Sequence, residues 1–359
     1  MRAVDTAERR TWLVTGAAGF IGSHLVERLL ALGQRVVAID NFSTGKRQNV
    51  DAVRAAVDAS KAAQLFFFEH DIRDREGLCA LVRQHAPEVI LHQAALGSVP
   101  RSIVDPLSSH QVNVDGFVNM LEAARAVGVR RFVYASSSSV YGDLDGSPKV
   151  ESKIGNCLSP YAATKRTNEI YAQVYGRTYG METVGLRYFN VFGPRQDPDG
   201  PYAAVIPRWL AAMEKGEPST IFGDGTTSRD FCYVANVVQA NILAATAPGE
   251  SSIINGVVNI ACGATTSLAQ LHEMLRAEVA QAQGREIRSI PAATIEPFRK
   301  GDIPHSLADI SLAREALGYM PSHSVSEGLR ELVRAAIPAR AARSAATESA
   351  SVHSAPLSR

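Results

Sequence analysis

Tyr161 and Lys165 stand four residues apart in the run Ser159-Pro160-Tyr161-Ala162-Ala163-Thr164-Lys165. A phenol is a poor base near neutral pH because its ordinary pKa is about 10. On a helix, residues i and i+4 share a face. A Lys ammonium on that face favours the phenolate and is expected to pull the Tyr161 pKa down. The phenolate then acts as a base toward a substrate hydroxyl. Tyr-x-x-x-Lys alone fits an exposed helical pair equally well, so the rest of the chain has to decide.

A second group of residues lies near the front, in Thr15-Gly16-Ala17-Ala18-Gly19-Phe20-Ile21-Gly22. Glycines spaced G-x-x-G-x-x-G let the backbone turn tightly and approach a pyrophosphate seated on a helix N-terminus. Asp40 closes the next strand. An acid there accepts hydrogen bonds from both adenosine ribose hydroxyls and repels a 2′-phosphate, which favours NAD over NADP. Asp71 closes the third strand, where it fits either a contact to the adenine amino group or plain turn chemistry.

These residues need a scaffold, and the hydrophobic pattern predicts one. Strands are expected over Thr11–Thr15, Arg35–Asp40, Leu65–His70, Glu88–His92, Arg131–Ser136 and Thr183–Phe189. Helices are expected over Ile21–Leu32, Glu76–His85, Leu107–Val127 and Pro160–Tyr179. Apolar strands alternating with helices imply an α/β, doubly wound parallel (Rossmann) sheet, with ligands beyond the strands' carboxyl ends. The expected NAD-binding domain covers residues 11–189, with 233–262 returning to it through a helix and one more strand. A smaller C-terminal α/β substrate lobe takes residues 190–232 and 263–336. The tail, 338–359, is rich in Ala, Ser and Arg and lacks aromatics, which predicts disorder.

Composition narrows the class. Among 359 residues, 46% are hydrophobic and 20% charged, as in a globular protein, and a net charge of +1 gives no electrostatic footprint for nucleic acid. The four cysteines are scattered without metal-binding spacing, so no metal is expected. No apolar run reaches the ~20 residues of a membrane span, and the charged start lacks a signal-peptide core. The expectation is a cytoplasmic protein.

Taken together, these motifs resemble the extended short-chain dehydrogenase/reductase family over roughly residues 11–334. Ser137, in Ser136-Ser137-Ser138-Ser139-Val140-Tyr141-Gly142, matches the third member of that family's triad. Asn113, in Asn113-Val114-Asp115-Gly116, matches its cofactor-supporting asparagine. The resemblance implies catalytic roles for Ser137, Tyr161 and Lys165. It implies a cofactor site of Gly16, Gly19, Phe20, Ile21 and Gly22 at the turn, with Asp40, Asn41, Asp71 and Ile72 beyond it. Gln93, Asn113, Tyr161 and Lys165 complete that site.

Within the family the chain looks like the NAD-dependent UDP-sugar 4-epimerases. Arg187-Tyr188-Phe189-Asn190-Val191-Phe192-Gly193, Ile221-Phe222-Gly223-Asp224-Gly225, Ser228-Arg229-Asp230-Phe231 and Arg299-Lys300-Gly301-Asp302 carry the likeness. It implies that Asn190, Arg229 and Arg299 bind the nucleotide diphosphate, since guanidinium forks suit phosphate oxygens, and that Asp302 holds a ribose hydroxyl. The chain is most similar to bacterial UDP-N-acetylglucosamine 4-epimerases of surface-polysaccharide synthesis. That likeness implies a hexose pocket formed by Gly97, Ser137, Ser138, Asn190, Ala204, Val205 and Ser306. Epimerases restricted to plain sugars place a bulky aromatic where Ser306 falls, and a serine leaves room for N-acetyl. The expected reaction is reversible C4 epimerisation of UDP-N-acetylglucosamine through a 4-keto sugar. UDP-glucose or UDP-glucuronate is the alternative substrate, and a catalytically silent NAD-binding regulator is the alternative of another class. A 4,6-dehydratase needs Asp-Glu where Ser138 and Ser139 stand. The family also implies a homodimer through a four-helix bundle built on Leu107–Val127 and Pro160–Tyr179.

Overall fold

A computed structural model describes residues 8–199, 203–298 and 305–337. The chain divides into two compact units. Among the described residues, the first runs to Val191 and is joined by Asp230–Thr265 and Ser306–Ser322; the second holds Phe192–Arg229, Thr266–His305 and residues 323–337. The stretch Ser306–Ser322 thus groups with the first unit, whereas the sequence pattern assigned it to the lobe.

Seven parallel strands form the sheet of the first unit: β1 (Thr11–Thr15), β2 (Arg35–Asp40), β3 (Leu65–Glu69), β4 (Val89–His92), β5 (Arg131–Ser137), β6 (Thr183–Tyr188) and β7 (Gly256–Ile260). Their order is β7-β6-β5-β4-β1-β2-β3. The order reverses between β1 and β4, which makes the crevice above those two strands the natural ligand position. The helices are α1 (Phe20–Ala31), α2 (Arg47–Ala55), α3 (Arg75–His85), α4 (Gly116–Ala126), α5 (Pro160–Tyr179), α6 (Val234–Thr246) and α7 (Ser311–Leu317).

Strand alternation divides the core in two. Trp12, Val14, Val36, Ala38, Leu91 and Val133 share one buried cluster with residues of α1 and α6. Leu13, Val37, Ile39, Ile90, Phe132 and Tyr134 share the other with residues of α3, α4 and α5. Both faces are covered, so the strand centres are mostly apolar and the polar residues gather at the strand ends, the pattern of a buried parallel sheet. The return strand β7 pairs in parallel with β6, with Val258 opposite Leu186.

One predicted helix is broken. In place of a continuous helix over Leu107–Val127, the chain forms Pro106–His110, a π-helical turn over Gln111–Asp115, and α4. The turn carries Asn113, and such bulges often mark functional sites. Two helices, α2 and α7, were not expected from the hydrophobic pattern.

In the second unit, helix Leu268–Gln283 packs against helices Val205–Lys215 and Val325–Ala336. Strands Thr220–Phe222 and Thr294–Glu296 pair in parallel. Ser267 with Gln270, and Ser324 with Glu327, form reciprocal capping boxes that fix two helix starts. Among the described residues, no helix is long and apolar enough to cross a membrane.

Candidate active site

The sequence dictates where α5 begins. Ser159 is its N-cap, with Oγ accepting from the Ala162 N–H at 3.1 Å, and Pro160 occupies the first turn, where no N–H is needed. Tyr161 therefore falls in the first turn, and its N–H donates to the Oγ of buried Ser102 at 3.0 Å. Ser137 ends β5, where its Oγ accepts from the Ser139 N–H at 3.2 Å, and its side chain is near enough to the Tyr161 phenol to lower its pKa. One turn along α5, buried Lys165 donates from Nζ to the carbonyl of Ala135 at 2.9 Å. Its Nζ lies 5.9 Å from the centroid of the Tyr161 ring. The three side chains predicted to form a triad thus meet at the carboxyl edge of β5.

The electrostatics differ from the sequence expectation in one respect. Burial pushes the Tyr161 phenol above its ordinary value, and the group that opposes this is Ser137, through its hydrogen bond. Burial also lowers Lys165, to about 8. The spacing predicted a phenol pulled down by the ammonium. Desolvation outweighs that attraction here, because both groups have left water and Nζ points to a backbone carbonyl.

The glycine turn lies between β1 and α1. Gly16 has φ +66°, and a Cβ there would stand 2.9 Å from the Ala94 nitrogen. A Cβ on Gly22 would overlap the Gly16 carbonyl. Gly19 is the N-cap of α1 and offers no side-chain cap, which leaves the helix N-terminus to a ligand. Phe20 and Ile21 open the helix. This cradle, which any Cβ would fill, fits a dinucleotide pyrophosphate.

Asp40 sits beside the turn at the end of β2. One carboxylate oxygen accepts from the Ala18 N–H at 2.9 Å and the other from the Phe42 N–H at 2.7 Å. Burial raises its pKa, and the N–H groups of Phe42, Ala18 and Gly19 oppose that. Asn41 donates to Asp71 at 2.9 Å, and Arg73 clamps the same carboxylate with Nε and Nη2 at 2.7–3.2 Å. The Arg73 hydrogen bonds hold Asp71 well below the usual carboxylate range. Ile72 is buried against Gly116. Gln93, past the end of β4, donates to Asn241 at 3.1 Å and accepts from the Tyr188 hydroxyl at 3.0 Å, so both ends of its amide are engaged.

Asn113 is buried, and its side chain bridges three partners. Oδ1 accepts from the Leu96 N–H at 2.7 Å, while Nδ2 donates to the Leu96 carbonyl and to Thr164 Oγ1, each at 3.1 Å. It ties the segment after β4 to the first turn of α5. Gly97 is exposed on that segment, and Ser98 follows at φ +110°. Ser138 opens the short 3₁₀ turn after Ser137. Asn190 sits after β6 at φ +32°, a strained value of the kind found at ligand sites, and donates to the Asp230 carbonyl at 3.1 Å. Ser306 is half-buried in the first unit.

Ala204, Val205 and Arg229 belong to the second unit. Ala204 is the N-cap of helix Val205–Lys215, and Arg229 Nη1 donates to the Ser228 carbonyl at 2.9 Å. Arg299 and Asp302 lie outside the described residues, as does the tail 338–359.

Two groups escaped the sequence reading. His92 ends β4, buried, with Nδ1 2.9 Å from Thr15 Oγ1. Burial, then the Lys165 charge, drives it down to about 3, so it stays neutral. Glu169, one turn beyond Lys165, is fully buried and accepts from Ser136 Oγ at 2.6 Å. The four-residue step Tyr161, Lys165, Glu169 is the signal that could have found it.

Residues 12–261 match the model of the NAD dependent epimerase/dehydratase family. The chain belongs to that family. Its members depend on NAD, and the turn at Gly16, Gly19 and Gly22 fits that cofactor. The chain is 39% identical to the UDP-glucose 4-epimerase of Mycolicibacterium smegmatis, over 89% of this chain and 96% of that one. Among solved structures, it is similar to UDP-N-acetylglucosamine 4-epimerase from Methanobrevibacter ruminantium in complex with UDP-N-acetylmuramic acid. That likeness has a TM-score of 0.80 and 36% identity, over 92% of this chain and 99% of that one. It is also similar to Thermus thermophilus UDP-glucose 4-epimerase complexed with NAD, with a TM-score of 0.76 and 38% identity, over 90% and 98% of the two chains.

Proposed function

We propose that the protein is an NAD-dependent UDP-sugar 4-epimerase that interconverts UDP-N-acetylglucosamine and UDP-N-acetylgalactosamine. The observation that carries the 4-epimerase reading is the meeting of Ser137, Tyr161 and Lys165 at the sheet edge that also carries the glycine turn. Tyr161 takes the proton from the sugar O4 and later returns it. Ser137 hydrogen-bonds O4 and lowers the phenol it already touches. Lys165, pinned to Ala135, supplies a fixed positive charge beside them. NAD, which the turn at Gly16, Gly19 and Gly22 would hold, would supply the acceptor for the C4 hydride and the donor for its return. The 4-keto sugar turns within the pocket between the two transfers, so C4 inverts with no second substrate consumed. Asn190, Arg229 and Arg299 hold the diphosphate and Asp302 a ribose hydroxyl.

Preference for the acetylated sugar rests on Ser306, a small side chain where a bulky aromatic would close the pocket. Gly97 and Ser138 belong to the proposed hexose site of the first unit. Incubating the protein with UDP-N-acetylglucosamine, with no added reductant, should yield UDP-N-acetylgalactosamine faster than UDP-glucose yields UDP-galactose. Ser306→Tyr should reverse that preference. Unchanged N-acetyl turnover in the variant would remove the pocket argument, and faster UDP-glucose or UDP-glucuronate turnover in the wild type would favour those substrates instead.

The same reading includes a homodimer. Ile170 (48% exposed) and Val174 (47%) lie one turn apart on α5, and Val104 (75%) and Leu107 (75%) lie on the short helices Val99–Val104 and Pro106–His110 that pack on it. Exposed large apolar residues on helices that pack together suit an interaction site, and a second copy of the same helices can cover them symmetrically. Light scattering should give a dimer mass, and Ile170→Glu with Val174→Glu should give a monomer.

A further inference from the structure

We propose that Ser136, Glu169 and Arg187 form a positioning device that fixes α5 against β5 and thereby sets the Ser137–Tyr161 contact. The proposal rests on the 4-epimerase reading and goes beyond it to residues outside the triad. Three consecutive residues of β5 are tied to three residues of α5 at four-residue steps. Ser137 meets Tyr161, the Ala135 carbonyl accepts from Lys165 at 2.9 Å, and Ser136 Oγ donates to Glu169 Oε1 at 2.6 Å. Ser136 continues the face of β5 that carries Phe132 and Tyr134, which α5 covers through Ala172 and Tyr175. The helix cannot rotate or slide on the strand without breaking the hydrogen bonds of Lys165 and Glu169.

Glu169 is the anchor of this ladder. Oε1 accepts from Ser136 and from Arg187 Nε at 2.8 Å; Oε2 accepts from Arg187 Nη2 and Arg166 Nη1, both at 2.9 Å. Four donors fill the roughly four lone-pair directions of a carboxylate. Arg187 stands directly opposite Ser136 in the β5–β6 register, so its fork reaches across the strand pair to the helix. Its Nη1 donates onward to the Tyr141 hydroxyl at 3.0 Å and the Glu151 carbonyl at 3.1 Å. Burial pushes the Glu169 carboxyl up, but Arg187, Ser136 and Arg166 bring it below its ordinary value, so it stays charged.

A buried ion pair is a poor device for stability alone, since apolar residues of similar volume often do as well. It is a good device for register, because a two-armed guanidinium and a saturated carboxylate have one mutual geometry. Catalysis is sensitive to that geometry, and a misplacement of about 1 Å costs on the order of 100-fold.

The test uses NAD-loaded enzyme with 13Cζ-labelled tyrosine, the Tyr161 resonance being assigned from Tyr161→Phe. Ser136→Ala should lower kcat roughly tenfold and leave KM and bound NAD within about twofold of the wild type. The Tyr161 phenol should titrate at higher pH in that variant, and Ser136→Thr should restore both. Glu169→Gln should shift the titration further; should it fail to fold, Ser136→Ala decides alone. An unmoved Tyr161 titration in Ser136→Ala with kcat within twofold would overturn the proposal, as would a lower kcat that follows lost NAD and is not restored by threonine. A wild type with no turnover on UDP-N-acetylglucosamine, UDP-glucose or UDP-glucuronate would end the 4-epimerase reading instead. The Tyr161 titration in the same samples would then still decide the positioning role.

Discussion

Lys165 and Ala135 are joined by a 2.9 Å hydrogen bond from the ammonium to the backbone carbonyl, two residues before Ser137. The contact places a fixed cation behind the phenol of Tyr161 and commits it to the strand that carries the serine. It also explains why an ammonium in a desolvated site keeps its proton at all, since a carbonyl replaces part of its lost hydration.

The charge on Lys165 should set the alkaline limit of activity. Burial lowers its pKa to about 8, so the ammonium is intact below that pH and lost above it. Turnover should fall as pH passes about 8. A pH–rate profile at saturating substrate checks this, and a rate that holds flat to pH 10 would contradict it.

Under the proposed mechanism, Tyr161→Phe removes the proton acceptor and little else, because the ring stays and the N–H bond to Ser102 is made by the backbone. Turnover should drop by about 10²–10⁴-fold, the usual contribution of a general base. Bound NAD and the melting temperature should hardly change. A variant with wild-type turnover would remove Tyr161 from the chemistry.

Much of this site was legible in the residues, and the illegible part has physical causes. β2 and α5 match their predicted bounds, because β2 is buried on both faces and Ser159-Pro160 fixes the helix start. The π turn at Gln111–Asp115 was hidden, since its residues have ordinary helical character. What distinguishes it is tertiary: Asn113 is bound to Leu96 and Thr164, both distant in sequence. The raised pKa of Tyr161 was hidden for a similar reason, because spacing shows a cation nearby and does not show desolvation. Glu169 stood at a readable step from Lys165. Its partner Arg187 became visible only with the β5–β6 register.

Gly22→Ala should disable the cofactor site. The new methyl would overlap the Gly16 carbonyl, and that carbonyl also accepts from the Gly19 N–H at 3.0 Å, so the turn cannot yield without losing its own closure. Released NAD, measured after denaturing the purified protein, should fall at least about tenfold, since a loss of ~1.4 kcal/mol in binding already gives that factor. Wild-type NAD content in the variant would refute the cradle.

His92 should make the fold acid-sensitive. The ring is buried between Phe117 and Phe132, with centroids 5.4 and 5.8 Å away. Its pKa is down to about 3 in the folded protein, against 6.5 when free. Between those values the unfolded chain binds a proton that the folded chain refuses. The stabilising difference is therefore complete above pH 6.5 and is lost as pH falls toward 3. At pH 4.5 the loss is roughly 2–3 kcal/mol. Asp230 acts in the opposite sense. Burial raises its carboxyl to about 6, so its contribution is present at low pH and is lost as pH rises through 6. A difference between two proteins cancels Asp230 and isolates the histidine. His92→Gln keeps a polar atom for Thr15 and does not titrate. It should be less stable than the wild type at pH 7, because it loses the ring packing. The gap in urea-unfolding free energy should then narrow by roughly 2–3 kcal/mol at pH 4.5. An equal gap at the two pH values would mean that His92 takes up its proton in the folded state.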